Sequence, residues 1–203
     1  IEFEENFSNY KKTKFSLALN SCTAALHLSL ISLNIKKGDE VITTPLTFCS
    51  TINTILQVGA TPVLADINFE TLNIDPTNIE KKISKKTKAI VAVHFAGLSC
   101  DMERICKIAK KYSLKIIEDC AHAIETKYKG KHAGTFGNTG CFSFYSTKNI
   151  TTGEGGMLIT NSRRISNRIK HLRLHGLSHD AWKRYNKSGK YRMYEIVEAG
   201  YKY

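Results

Sequence analysis

Lys148 lies in the run "GCFSFYSTKNITTGEGG" (140 to 156), between an apolar stretch and a glycine-rich turn. Lysine is the side chain least suited to burial, so an apolar stretch that delivers one towards the interior needs a reason, and amine chemistry is the first candidate. A second charged group occupies a similar setting. "LKIIEDCAHA" ends an apolar run on Glu118 and Asp119, with His122 just beyond, and a carboxylate there must find a cationic or N–H partner. In "LALNSCTAAL", Ser21 is placed to cap a helix whose first amides, at Cys22 and Thr23, point outward as an anion site. "TPLTFCSTIN" puts Phe48 close to the end of another apolar run, where it either covers a flat ring or fills the core. Ser143 stands just before Lys148.

The elements that must position these groups are legible as short apolar runs bounded by turn signals. The runs are 15 to 19, 40 to 43, 61 to 66, 88 to 95, 114 to 119, 140 to 145 and 156 to 160. Each is too short for a helix and rich in Val, Ile, Leu or Phe, as strands covered on both faces are. Helix-period segments lie between them at 22 to 34, about 49 to 58, 76 to 84, 101 to 112 and 163 to 174. The alternation predicts an α/β fold, a mostly parallel sheet flanked by helices, with ligands collecting outside the carboxyl ends of the strands. All the residues singled out above fall at such ends. From about residue 176 the pattern loosens into a polar, aromatic stretch that reads as a long loop.

Composition narrows the setting. The six cysteines include no C-x-x-C pair, so neither a zinc site nor a disulfide framework is indicated, and a reduced compartment fits. No apolar run is long enough to cross a bilayer, and the first residues lack a signal-peptide core; the chain is expected in the cytoplasm, away from membranes. A formal charge of +12 invites a nucleic-acid reading. Segments such as "IEKKISKKTK" argue instead for solvated helix and turn faces, and no aromatic and basic interleaving of the single-strand-binding kind is present.

A lysine, an acid and a phosphate-ready helix start, each at the end of a strand, have a shared chemical meaning. Pyridoxal phosphate needs a lysine for its Schiff base, an acid to keep its pyridine nitrogen protonated, and an anion pocket. The same chain resembles the DegT/DnrJ/StrS-type sugar-nucleotide aminotransferases, of fold type I, in "LNSCTAALHLSL", "GDEVITTPLTFCSTINTILQVGATPVLADI", "KAIVAVHFAGLSCDM", "IIEDCAHA", "GCFSFYSTKN", "GEGGMLITN" and "LRLHG", in family order and spacing.

The resemblance implies that Lys148 is the Schiff-base lysine and Asp119 the partner of the ring nitrogen. Ser143 with Ser21, Cys22 and Thr23 would hold the phosphate, Phe48 would stack on the ring, and His122 would sit near the phenolic oxygen; the competing reading of His122 is a solvent-facing histidine. Cys22 departs from the small residue, often glycine, that the family has there. The resemblance further implies transfer of an amino group from an amino acid, glutamate, to a nucleotide-linked keto sugar, at C4 of a UDP-sugar, by a homodimer. Lys183, Arg184 and Tyr185 would contact the sugar nucleotide's diphosphate. Residues 1 to 175 would form the cofactor-binding large domain, lacking an N-terminal segment, and 176 to 203 a loop leading to a small domain beyond the chain.

Three other readings compete. A dinucleotide-dependent oxidoreductase fits poorly, because the glycines of "TGEGGM" precede a strand-like run instead of following one. A basic polyanion-binding module would be indifferent to the loss of Lys148. A homologue that binds cofactor without turnover would keep the same residues.

Overall fold

The computed structural model describes residues 1 to 178 and 195 to 203. Seven strands form the main sheet: β1 Phe15–Leu19, β2 Glu40–Thr43, β3 Thr61–Leu64, β4 Thr87–Val93, β5 Lys115–Asp119, β8 Thr139–Ser143 and β9 Gly156–Thr160, with β6 Lys127–Tyr128 and β7 Lys131–His132 forming a separate hairpin. The order across the main sheet is β1-β9-β8-β5-β4-β2-β3. Only β9 runs against the others, being antiparallel to both β1 and β8, while β8, β5, β4, β2 and β3 pair in parallel. The mostly parallel α/β sheet read from the sequence is therefore the fold.

Both faces are covered, which is why the strands read as continuous apolar runs. Val41, Ala89, Val91, Ile117, Cys141 and Leu158 pack on one side with α2 (Cys22–Ser32) and α6 (Arg163–Leu172). Their sequence neighbours Ile42, Ile90, Ala92 and Ile116 face the other way, against α4 (Pro76–Lys81) and α5 (Met102–Tyr112). Helix α2 is apolar all round because it is buried all round, and α3 (Cys49–Gln57) packs beside it. The lysines at 85, 86 and 88 sit at the start of β4, the end of the sheet away from the strand carboxyl ends, and are exposed.

Two elements escape the sequence pattern. Helix α1 (Glu2–Lys11) lies on the second face, where Phe7 meets Phe142 and Phe144 edge-on. Its inward stripe is Phe3, Phe7 and then Lys11, and a lysine in the third position hides the stripe. The hairpin β6–β7 turns through Lys129 and Gly130, both at positive φ, as a two-residue loop requires.

Among the described residues the buried lysine is Lys11, at 1% exposure. Its Nζ donates to the carbonyls of Ile124 (2.6 Å) and Ala133 (3.3 Å) and lies 4.3 Å from the centre of the Phe142 ring. It ties α1 to both ends of the segment that contains the hairpin. The expectation that Lys148 is the one delivered into the interior by a strand is corrected here: Lys148 follows β8 in a turn and is half-buried.

The described residues beyond 176 are more ordered than a loop reading suggests. Residues 195 to 203 return alongside 172 to 178, with isolated antiparallel bridges Leu174 to Lys202 and Leu177 to Ile196. Tyr201 and Tyr203 stack on each other, and the Tyr203 hydroxyl is 3.1 Å from His27 Nδ1 of α2. Lys183, Arg184 and Tyr185 lie outside the described residues.

Burial lowers the Lys11 ammonium from its ordinary 10.5 to about 8. A lysine that holds its proton less well folded than unfolded makes stability rise with pH between those two values. Wild-type protein should gain up to about 3 kcal/mol from this group between pH 8 and 10.5. The denaturant midpoint of wild type should rise relative to that of Lys11→Met across that range. The difference isolates Lys11 from the buried thiols, whose raised values act in the opposite direction; parallel profiles would refute it.

Candidate active site

A cavity of about 480 Å³ opens at the carboxyl ends of the parallel strands and the amino end of β9. Every described sequence-predicted site residue lines it: Ser21, Cys22 and Thr23 after β1, Phe48 after β2, Asp119 at the end of β5 with His122 beyond it, and Ser143 at the end of β8 with Lys148 beyond it. Residues as far apart as 21 and 148 meet because the reversed strand β9 lies between β1 and β8, bringing those two strand ends to one place.

Ser21 caps α2 as expected, its Oγ accepting from the Ala24 amide at 3.1 Å. The positive end of the helix dipole thus faces the cavity. The helix start is pressed against β9 at Gly156, where a Cβ would lie 2.2 Å from the Ser21 carbonyl carbon. No other residue allows that approach. Ser143 Oγ accepts from the Tyr145 amide at 3.3 Å, which turns the chain out of β8. The Lys148 amide in turn donates to the Tyr145 carbonyl at 2.9 Å.

Phe48 is 75% exposed at the start of α3, so the core reading of this residue is wrong and its face is available to the cavity. His122 is also exposed, yet its Nε2 lies 2.9 Å from Lys148 Nζ. Burial first, and the Lys148 charge second, lower its proton affinity, so a neutral ring accepts from the lysine. The solvent-facing alternative misses that contact.

Asp119 is buried and held on both oxygens. Oδ1 accepts from the Ala121 amide at 3.1 Å, with Cys22 Sγ at 3.9 Å, and Oδ2 accepts from Thr51 Oγ1 at 2.8 Å. Burial, then the Asp119 charge, push the Cys22 thiol well up, so it stays protonated and can donate weakly. Glu118, its neighbour, points to the opposite face of the sheet. There its two oxygens accept from the amides of Gly134, Phe136 and Gly137, each at 2.7 Å, and meet His94 Nε2 at 3.1 Å. His94 Nδ1 accepts from the Cys100 amide at 3.1 Å, leaving the ring proton on Nε2.

The donor atoms of His94, Glu118 and Cys120 lie within 4.8 Å of one another, a spacing a metal could use. Glu118 and His94 are already spent on these hydrogen bonds, so the cluster is a structural knot. Thr51, His94 and Thr47 were not singled out from sequence. A hydroxyl in a helix, one in the turn before it and a histidine after a strand carry no pattern of their own; Thr51 and His94 find their partners on the distant strand β5, and Thr47 finds Thr51.

The model of the DegT/DnrJ/EryC1/StrS aminotransferase family matches residues 1 to 202. The spore coat polysaccharide biosynthesis protein SpsC of Bacillus subtilis is 50% identical over 201 residues, which are 99% of this chain and 51% of that protein. An aminotransferase from Psychrobacter cryohalolentis superposes with a TM-score of 0.92 at 39% identity, covering 98% of this chain and 51% of the other. Spr1654 from Streptococcus pneumoniae, solved in a PLP-form, does so with 0.88 at 33%, covering 99% and 54%. The chain spans about half the length of the curated relatives it matches.

Glu118 gives a test of the knot behind the cavity. Glu118→Gln places an amide nitrogen among donors that have no other acceptor, and should cost about 2 to 4 kcal/mol of stability. Denaturant unfolding measures this; a variant as stable as wild type would show the three amides find other partners.

Proposed function

The chain belongs to the DegT/DnrJ/EryC1/StrS aminotransferase family, and on that premise we propose that it carries the pyridoxal phosphate site of an enzyme that moves an amino group from an amino acid to a sugar. The observation that carries the reading is the convergence of the Lys148 amine, the buried Asp119 carboxylate and the N-terminus of α2 on one cavity.

The residues present fit such a group. The cavity's volume is in the range of small-ligand sites. The start of α2 and the Ser143 hydroxyl offer donors for a phosphate, and exposed Phe48 offers a flat face for a ring. Asp119 has lone pairs left after its three contacts, in a water-poor position suited to holding a proton on a ring nitrogen. The solved PLP-form of Spr1654 supports the choice.

When bound, the cofactor supplies an electron sink for the bond-breaking at the amino acid's α carbon. Lys148 would hold it covalently and, once displaced by the donor's amine, would act as the base that takes the proton from that carbon and, in the second half of the reaction, as the acid that delivers a proton to the sugar's carbon. His122 accepts from the lysine amine and keeps it oriented towards the cavity. Asp119 would pair with the ring nitrogen and hold its proton in place.

For substrates, we extend the reading to glutamate as donor and a nucleotide-activated keto sugar as acceptor, aminated at C4 of a UDP-sugar. The polysaccharide role printed for SpsC supports the sugar class. Lys183, Arg184 and Tyr185 are the residues proposed for the diphosphate, in a homodimer of the longer protein. Residues 1 to 175 would be its large domain, with 176 to 203 leading to a smaller one.

Incubation with pyridoxal phosphate, borohydride reduction and peptide mapping should place the reduced adduct on Lys148. Lys148→Ala should lose the yellow absorbance and the adduct together. An adduct on another lysine, with Lys148 unmodified, would contradict the assignment.

A further inference from the structure

Thr51 belongs to the site although it does not line the cavity. It sits in the first turn of α3, and it reaches Asp119 at the end of β5, with β2 and β4 between that strand and the β3 edge which α3 packs towards. Its Oγ1 donates to Asp119 Oδ2 at 2.8 Å, and the Thr47 hydroxyl lies 2.8 Å behind it. A carboxylate only accepts, so the direction of the chain is fixed: Thr47 donates to Thr51, and Thr51 donates to Asp119.

The torsion that turns a carboxylate about its own bond is soft, and a single contact does not set it. The Ala121 amide holds Oδ1 from within the same turn. Thr51 holds Oδ2 from another element, and the two together fix the carboxylate plane. We propose that Thr51 is a positioning residue for Asp119, holding its carboxylate in the rotation that leaves lone pairs aimed into the cavity.

The arrangement links two functions in one helical turn. Phe48 is the cap residue of α3 and Thr51 its third residue, with the Thr51 amide bonded to the Phe48 carbonyl at 3.2 Å. A shift of that turn would move the ring-covering side chain and the acid's support together. The charged and titratable groups around Asp119 are Cys22 on α2 and Cys141 on β8, both kept protonated by burial, His122 on its own loop, and Lys148 from the β8 turn. None of them can replace a neutral hydroxyl donor on Oδ2.

This inference rests on the cofactor reading, and the test separates the two. Wild type, Thr51→Val, Thr51→Ser and Thr47→Val are loaded with pyridoxal phosphate carrying nitrogen-15 in its ring, and the ring nitrogen's proton is followed by NMR as pH is raised. Valine matches threonine in shape and removes only the donor. The proton's binding constant should fall about tenfold in Thr51→Val, a drop of about one pH unit, because the carboxylate turns away and its charge-assisted contact with the ring nitrogen weakens by that much. Thr51→Ser should restore it, and Thr47→Val should give a smaller drop in the same direction, which serves if the Thr51→Val protein does not fold. A ring titration unchanged in Thr51→Val, or in Thr47→Val where only that variant folds, overturns the inference while the cofactor reading stands. Failure of wild type to take up the labelled cofactor overturns both.

Discussion

The end of β5 carries two consecutive carboxylates in a fully covered strand, and the rest of the site is arranged around satisfying them. Because side chains alternate across a strand, Glu118 and Asp119 point to opposite faces and each must be solved separately. Glu118 is solved by structure: three loop amides and His94 saturate it. That binding pulls the 134 to 137 loop against the sheet, tightly enough that a Cβ on Gly140 would lie 2.5 Å from the Gly134 Cα. Asp119 is solved only in part, by Thr51, Ala121 and a weak thiol donor, and its remaining lone pairs face a cavity. An incompletely satisfied buried acid is costly unless something else binds it, and that is the physical signature of a binding group.

The single reversed strand is the second constraint. With β9 running against its neighbours, its glycine-rich start lies beside the ends of β1 and β8. Gly156 lets α2 begin close to that start, so a helix dipole, a lysine-bearing turn and the acid share one small volume. The backbone of the turn after β8 is held at both ends, by Phe144 donating to Gly155 at 2.9 Å and Thr152 donating to Phe144 at 3.0 Å. Lys148 is thereby carried on a pinned turn, with freedom left mainly in its side chain.

Much of this was legible in the sequence, for physical reasons that can be named. Strands buried on both faces read as short apolar runs, and all seven strands of the main sheet coincide with such runs. Helix ends were sharpest where a cap residue marked them, as at Asp101 and Ser162. Run 140 to 145 overshot because Phe144 and Tyr145 are apolar but already belong to the turn. Helix α1 was hidden by Lys11 in a core position; its acidic first turn and the Phe3 to Phe7 spacing were the available signals. The Lys-Gly pair of the hairpin was a usable turn signal as well. Phe48 stayed ambiguous because exposure is a tertiary property. Thr51 was invisible because its meaning lies in one long-range hydrogen bond.

The proposed function stands or falls on Asp119, whose charge would act at the ring of a bound cofactor. The most direct measurement compares wild type with Asp119→Asn, in the full-length protein, for two quantities: capture of pyridoxal phosphate at Lys148, and the rate at which added glutamate converts the captured cofactor to its amine form. Capture should persist in Asp119→Asn while the conversion slows by about a hundredfold or more, the scale of losing one preorganised electrostatic group. Equal conversion rates in the two proteins would contradict it.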